Sequence, residues 1–276
     1  LSFTMGILAV LNPRKPGGTD KTQRKGIDLA IALDVSKSML ATDLAPNRLE
    51  RAKQFINKLM NEMPDDRVAL VLFAGKAYMQ MPLTVDHGAA QLFVSSAGPD
   101  AVPQQGTVIS DALDMSARVF NPQEKRFKAV VLISDGEDHD PSALKMAGGL
   151  AEQGVMINTV GIGSPDGATI PDPTTGEPKK DESGNTVVTK LNEDELKNIA
   201  AKTNGIYIHL ESSDAAVAEL KGQLAQIDRK AYGDVSMMNF TNYYPWLAAA
   251  MMLFLLIENL VSETKKSQRE EKPIPA

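Results

Sequence analysis

The chain has 276 residues, 43% hydrophobic, 23% charged and 5% aromatic, with a formal net charge of −6 and no cysteine. That is globular composition, enough for one large domain or one domain with appendages. The acidic balance excludes a general nucleic-acid binder with a basic face, and the missing thiols exclude a disulfide framework, a thiolate metal site and a cysteine nucleophile.

Residues 1–11 are apolar apart from small hydroxyls, too few for the roughly 20 residues that span a bilayer. They read as the end of a truncated membrane helix stopped by Asn12-Pro13-Arg14-Lys15-Pro16, with a signal-peptide core as the alternative. Residues 12–26, rich in Pro, Gly and charge, read as a linker. A domain is expected over 27–232. It opens with a buried strand, Ile27 to Leu33, and a helix over Asn47 to Met63 whose apolar face is Leu49, Ala52, Phe55, Ile56, Leu59 and Met60. Val68 to Phe73 is a second buried strand and Ala77 to Leu83 a short edge strand. Asp86–Ser96 and Ile109–Phe120 are helices, Lys128–Ser134 a strand, Pro141–Gln153 a helix with Asp140 as its cap, and Met156–Ile162 a strand.

Residues 164–190 interrupt this alternation with Pro, Gly, Asp, Lys and Thr, and Asp181 to Asn185 ahead of Thr186 to Thr189 predicts an inserted hairpin. Asn192–Lys202 is a helix with a capping arrangement at its start, Gly205–Leu210 a strand and Ser213–Tyr232 a last helix. Strands alternating with helices predict an α/β fold with a mostly parallel central sheet and helices on both faces.

Beyond the domain, 243–261 is apolar but for Glu258 and Asn259. Tyr243, Tyr244 and Trp246 flank it on one side and Lys265, Lys266 and Arg269 on the other. This predicts a C-terminal transmembrane helix followed by a charged tail, 262–276. The C-terminal basic flank favours a cytoplasmic tail, while Arg14, Lys15, Lys21, Arg24 and Lys25 pull the other way, so charge leaves the orientation open.

In open α/β sheets ligands gather at the carboxyl ends of the strands. The oxygen-bearing residues expected there are Asp34, Ser36 and Ser38 after the first strand, Asp135 after the strand ending at Ser134, and Thr107 just before the helix at Ile109. An all-oxygen set of this kind suits a hard divalent cation, and alternation in an extended turn would aim Ser36 and Ser38 the same way as Asp34. These loops are expected at the surface, outside the core, so that Asp34→Ala would spare the fold. Glu137, Asp138 and Asp140 add negative potential, whereas His87, His139 and His209 lie on different elements without ligand spacing.

Asp34-x-Ser36-x-Ser38, Thr107 and Asp135-Gly136, in that order and on those elements, resemble the metal-ion-dependent adhesion site of von Willebrand A domains, which are Rossmann-like. The resemblance implies that Ser36 and Ser38 bind the ion directly, and Asp34, Thr107 and Asp135 directly or through water. The ion would be Mg²⁺, with Mn²⁺ or Ca²⁺ as alternatives, and a partner's acidic residue would complete its shell. Arg48 to Lys53, Pro82-Leu83-Thr84, Val187 to Leu191 and Gly205-Ile206-Tyr207 further resemble the bacterial aerotolerance (Bat) membrane proteins, the BatB branch in particular. That resemblance implies a non-enzymatic interaction module in the bacterial inner membrane, its domain on the periplasmic side, serving an envelope or oxidative-stress complex. The implied partners are sibling von Willebrand A proteins, tetratricopeptide-repeat membrane proteins and a MoxR-type AAA+ ATPase, with no nucleic acid. The competing classes are an extracellular adhesin using the same ion and a haloacid-dehalogenase-type phosphatase. The phosphatase needs a second Asp two residues after the first, where this chain has Ser36. No P-loop, catalytic triad or dinucleotide fingerprint occurs.

Overall fold

The computed structural model describes residues 14–16, 26–123, 127–138, 140–172, 175–181, 183–225, 240–242, 246 and 248–257. Two compact units separate, Arg24–Tyr232 and a second made of Leu1–Gln23 with Gly233–Ala276.

In the larger unit a six-stranded sheet runs in the order β4-β3-β2-β5-β6-β9. Its strands are β2 (Asp28–Asp34), β3 (Arg67–Phe73), β4 (Ala77–Thr84), β5 (Lys128–Ser134), β6 (Val155–Gly161) and β9 (Tyr207–His209). All pairs are parallel except β3 with the edge strand β4. The central strands have no polar face because helices cover both sides. Leu29, Ile31 and Leu33 of β2 pack with α1 (Arg48–Glu62), α2 (His87–Ser96) and α6 (Ser213–Ala225). Ala30 and Ala32 pack with α3 (Ile109–Val119), α4 (Ala143–Glu152) and α5 (Glu193–Lys202). The alternation of large and small side chains along one strand thus sorts the helices onto two faces.

Helix starts follow local chemistry. Asn47 and Asp86 cap α1 and α2 by accepting the N–H of Glu50 (2.8 Å) and Ala89 (2.9 Å), and Asn192 caps α5 by accepting that of Glu195 (3.4 Å). The expected start of α4 at Pro141 is wrong by two residues. Asp140 spends its carboxylate on the Ser142 N–H (3.0 Å) and on the hydroxyls of Ser110 (2.6 Å) and Ser142, and Ser142 becomes the residue before the helix. Those hydroxyls, Ser110 first, hold the Asp140 carboxyl below its ordinary range.

Where β9 begins, Gly205 presses against β6: a Cβ there would collide with the Ile157 carbonyl oxygen. We expect Gly205→Ala to lose about 2–3 kcal/mol of stability by forced backbone displacement. An unchanged urea midpoint would remove this contact from the account.

Residues 164–190 carry β7 (Ala168–Thr169) paired antiparallel with β8 (Val188–Thr189), and bridges Pro171 to Pro178 and Lys180 to Thr186. Asp181 accepts the N–H groups of Ser183 (2.9 Å) and Asn185 (2.8 Å) and so folds the tip.

In the smaller unit, Arg14–Pro16 form a short strand, β1, antiparallel to β10 (Phe240–Asn242), where a plain linker was expected. Residues 248–257 are helical, and Met252, Leu253, Leu255, Leu256 and Ile257 are exposed. Among the described residues no helix is long and apolar enough to cross a membrane. The rest of the expected span, 243–245, Leu247 and 258–261, and the end of the last helix expected over 226–232 lie outside the described residues, as does His139.

Candidate metal centre

The chain leaves β2 for β3 on one side of the sheet and later returns to place β5 on the other. The carboxyl ends of β2 and β5 therefore diverge at a topological switch point, where a crevice forms. Leu33 pairs with Ile133, which sets Asp34 beside Ser134. The Ser134 hydroxyl donates to Asp34 Oδ2 at 2.7 Å and accepts the Gly136 N–H at 3.0 Å. Gly136 has φ +71, and a Cβ there would lie 2.6 Å from the Asn192 carbonyl oxygen, so only glycine makes the turn that follows Asp135.

After β2, Asp34 Oδ1 accepts the Ser36 N–H at 2.8 Å and bends the chain. Val35 and Met39 plunge into the core and anchor the loop on either side. Ser36 is extended, but Ser38 belongs to a 3-10 turn, Lys37–Leu40, instead of the extended run expected. The outcome still brings the two hydroxyls within 2.9 Å of each other. Ser38 also lies close enough to the Asp135 carboxylate to oppose the rise in its pKa. Asp34, Ser36, Ser38 and Asp135 thus form one connected cluster.

Thr107 reaches the same edge without joining that network. Its loop is fastened to the end of β3 by Gly75 N–H to the Gln104 carbonyl and Val108 N–H to the Ala74 carbonyl, each 2.9 Å. The Ile109 N–H donates to Asp138 at 3.2 Å. Among the described residues no hydrogen bond links Thr107 to the other four.

The expectation of a superficial site is overturned, since Asp34 and Asp135 are both 0% exposed. Burial, and then the charge of Asp135, push the Asp34 carboxyl up to about 7 against the pull of the Ser134 and Ser36 hydrogen bonds. Burial also raises Asp135, opposed by Ser38 and by the Arg48 charge and aided by Glu137. Two adjoining buried carboxylates thus lack full compensation, the condition a divalent cation relieves. Among the described residues no cluster of three His, Asp or Glu side chains can hold a metal. A cation here must therefore draw on the hydroxyls too, and the all-oxygen set fits a hard ion.

Sequence reasoning missed Arg48, Thr189 and Asp43 as parts of this rim and left Ser134 inside its strand. Arg48 is fully buried and pairs with Asp43 (2.8 Å) and Asp135 (3.0 Å). Burial works against the Asp43 charge, yet hydrogen bonds from Arg48 and from the Ser164 N–H hold its pKa below the ordinary range. Glu137, expected only to add negative potential, accepts the Thr189 hydroxyl at 2.7 Å. The two described histidines meet backbone carbonyls: His87 bonds Met60 (3.1 Å) and Asp66 (2.9 Å), and His209 bonds Gly163 (3.0 Å).

The raised Asp34 has a consequence in pH. Below about 4 it is protonated whether folded or unfolded; between about 4 and 7 only the folded state keeps the proton. Without a cation, this group's contribution to stability therefore falls as pH rises through that window and is level above it. A cation must displace the proton, so we expect Mg²⁺ affinity to fall by up to about tenfold per pH unit below 7. Calorimetric titrations at pH 6 and 7.5 giving equal affinity would refute this.

A family model described as von Willebrand factor type A domain matches residues 29–137. Among solved structures, an aerotolerance-related membrane protein of Bacteroides fragilis is 40% identical with TM-score 0.71, over 73% of this chain and 100% of that one. BatB of Bacteroides thetaiotaomicron is 39% identical with TM-score 0.70, over 72% of this chain and 98% of that one. A mussel byssus proximal thread matrix protein with a zinc-occupied MIDAS motif is 22% identical with TM-score 0.54, over 72% of this chain and 46% of that one; it shares the fold. A UPF0353 protein of Mycolicibacterium paratuberculosis is 28% identical over 247 residues, 82% of this chain and 68% of that protein. Another, of Mycolicibacterium vanbaalenii, is 33% identical over 152 residues; there the match spans 50% of this chain and 44% of the relative.

Proposed function

This chain belongs to the von Willebrand A-domain family of aerotolerance-related proteins that includes BatB, and we propose that it is a membrane-anchored, non-catalytic module that recruits a partner protein through a divalent cation. The observation that carries this reading is the pair of buried, mutually repelling carboxylates, Asp34 and Asp135, beside two hydroxyls 2.9 Å apart. Asp34, Ser36, Ser38 and Asp135, with Thr107 from the neighbouring loop, would hold Mg²⁺. Mn²⁺ or Ca²⁺ are alternatives, and the zinc-occupied motif of the mussel protein is a precedent on the same fold. The bound ion would supply an open coordination position and positive charge for an Asp or Glu of the partner.

Against a phosphatase, Ser36 stands where that chemistry needs its second Asp. Anchoring through 243–261 draws support from the exposed apolar side chains of 248–257 and from the Bacteroides fragilis relative, itself described as a membrane protein. We place the domain on the periplasmic side of a bacterial inner membrane. Sibling von Willebrand A proteins, tetratricopeptide-repeat proteins and a MoxR-type AAA+ ATPase are the partners to test.

The test is co-purification of the full chain from native membranes in Mg²⁺, in EDTA, and with Asp34→Asn in Mg²⁺. Partners held only by the wild type in Mg²⁺ are the expected result. Partners retained equally in all three arms would move binding to another face.

A further inference from the structure

We propose that the inserted hairpin is a working part of the ion site: Thr189 and Arg48 are positioning residues for the Asp135 carboxylate, so that cation binding and docking of the hairpin's base are one linked equilibrium. This rests on the reading of the rim as a cation site.

Both ends of the insertion are fastened to acids of that rim. At its start, the Ser164 N–H donates to Asp43 Oδ2 at 2.7 Å. At its end, the Thr189 hydroxyl lies 2.7 Å from Glu137 Oε2 and 3.2 Å from Asp135 Oδ2, and the Lys190 N–H donates to Glu137 Oε1 at 2.7 Å. The Leu191 N–H closes the base on the Ser164 carbonyl at 3.1 Å. Strand alternation selects which side chain enters: Thr189 is 1% exposed, while Val188 before it is 51% exposed and Lys190 after it is exposed.

Arg48 joins the two ends. Its Nε and Nη2 hold Asp43 at 2.9 and 2.8 Å, and its Nη1 donates to Asp135 Oδ2 (3.0 Å) and Thr189 Oγ1 (3.1 Å). Nη2 also reaches the Thr189 carbonyl at 3.4 Å. Gly163 has φ +127, and a Cβ there would lie 2.6 Å from the guanidinium carbon, so the chain enters the hairpin directly over Arg48. Asp135 is consequently held at Oδ2 by Arg48, with the Thr189 hydroxyl beside it sharing its one proton between Glu137 (2.7 Å) and Asp135 (3.2 Å), and at Oδ1 by the Glu137 N–H (3.2 Å). Groups that orient a ligand in this way commonly set metal affinity by about ten- to a hundredfold. Reciprocity then requires the cation to tighten the hairpin's docking by the same factor.

The test compares the full chain with Thr189→Val, which keeps the shape and loses the hydroxyl, and Thr189→Ser, which keeps the hydroxyl. Mg²⁺ affinity is measured by calorimetry, and amide exchange over 186–191 with and without Mg²⁺. We expect about ten- to a hundredfold weaker binding for Thr189→Val, near-native binding for Thr189→Ser, and slower wild-type exchange at Lys190 and Leu191 in Mg²⁺. Native affinity in Thr189→Val, equal loss in both variants, or exchange indifferent to Mg²⁺ would each overturn the linkage. A wild-type chain that binds no Mg²⁺ would instead overturn the cation reading, and the linkage with it.

Discussion

Asp34→Asn is expected to weaken Mg²⁺ binding by at least a hundredfold, about 2.7 kcal/mol, while the cation-free protein stays folded and gains stability above pH 7. Asparagine keeps an oxygen for the Ser36 N–H, and the Ser134 hydroxyl can turn to accept from the new amide. What disappears is the charge, which burial and Asp135 already oppose. The cation loses a ligand, whereas the empty cluster loses a repulsion. Thermal melts with and without Mg²⁺ separate the two effects: the wild type should be stabilised by the ion and the variant should not. Mg²⁺ affinity within a few-fold of native would remove Asp34 from the site.

The largest loss of stability is expected at Arg48→Ala, about 3–5 kcal/mol by urea unfolding. The guanidinium is wholly buried and answers both Asp43 and Asp135, and its removal leaves two carboxylates without their countercharge. Arg48→Lys should recover only part, because one ammonium cannot reproduce the fork that holds Asp43 while reaching Asp135 and Thr189. A loss below about 1 kcal/mol for Arg48→Ala would mean that the acids relax to solvent or take up protons, and that Arg48 is not their necessary partner.

Much of the architecture was legible because it is written in contiguous apolar runs. Ile27 to Leu33 and Lys128 to Ser134 could hardly be anything but buried strands, and the acids that follow them fall at the strand ends by simple succession. The buried state of those acids was hidden, since burial depends on Val35, Met39 and the turn at Gly136 drawing the loops inward. Arg48 entered only as the first residue of the stretch to Lys53 that resembles the Bat proteins, with no role read for its charge. Its partners lie 87 and 141 residues away at Asp135 and Thr189, and a polar hairpin segment carries no pattern that reveals which hydroxyl turns inward. The start of α4 was misjudged because Pro141 and Ser142 form a turn, closed by the Asp140 carboxylate on the Ser142 N–H, before the regular helix begins at Ala143. The β1–β10 pairing was equally invisible in a stretch of Pro, Lys and Arg.

The separation along the chain between Asp34 and Ser134, 100 residues, also sets a schedule. A growing polypeptide presents Asp34, Ser36 and Ser38 long before β5 can slot beside β2, and Thr189 emerges later still. Such distant pairings form late, since loop closure must precede them. On the proposed reading, the rim would therefore be complete only when the domain is nearly finished. A partner recruited as proposed would then be reading, in effect, a certificate of completed folding.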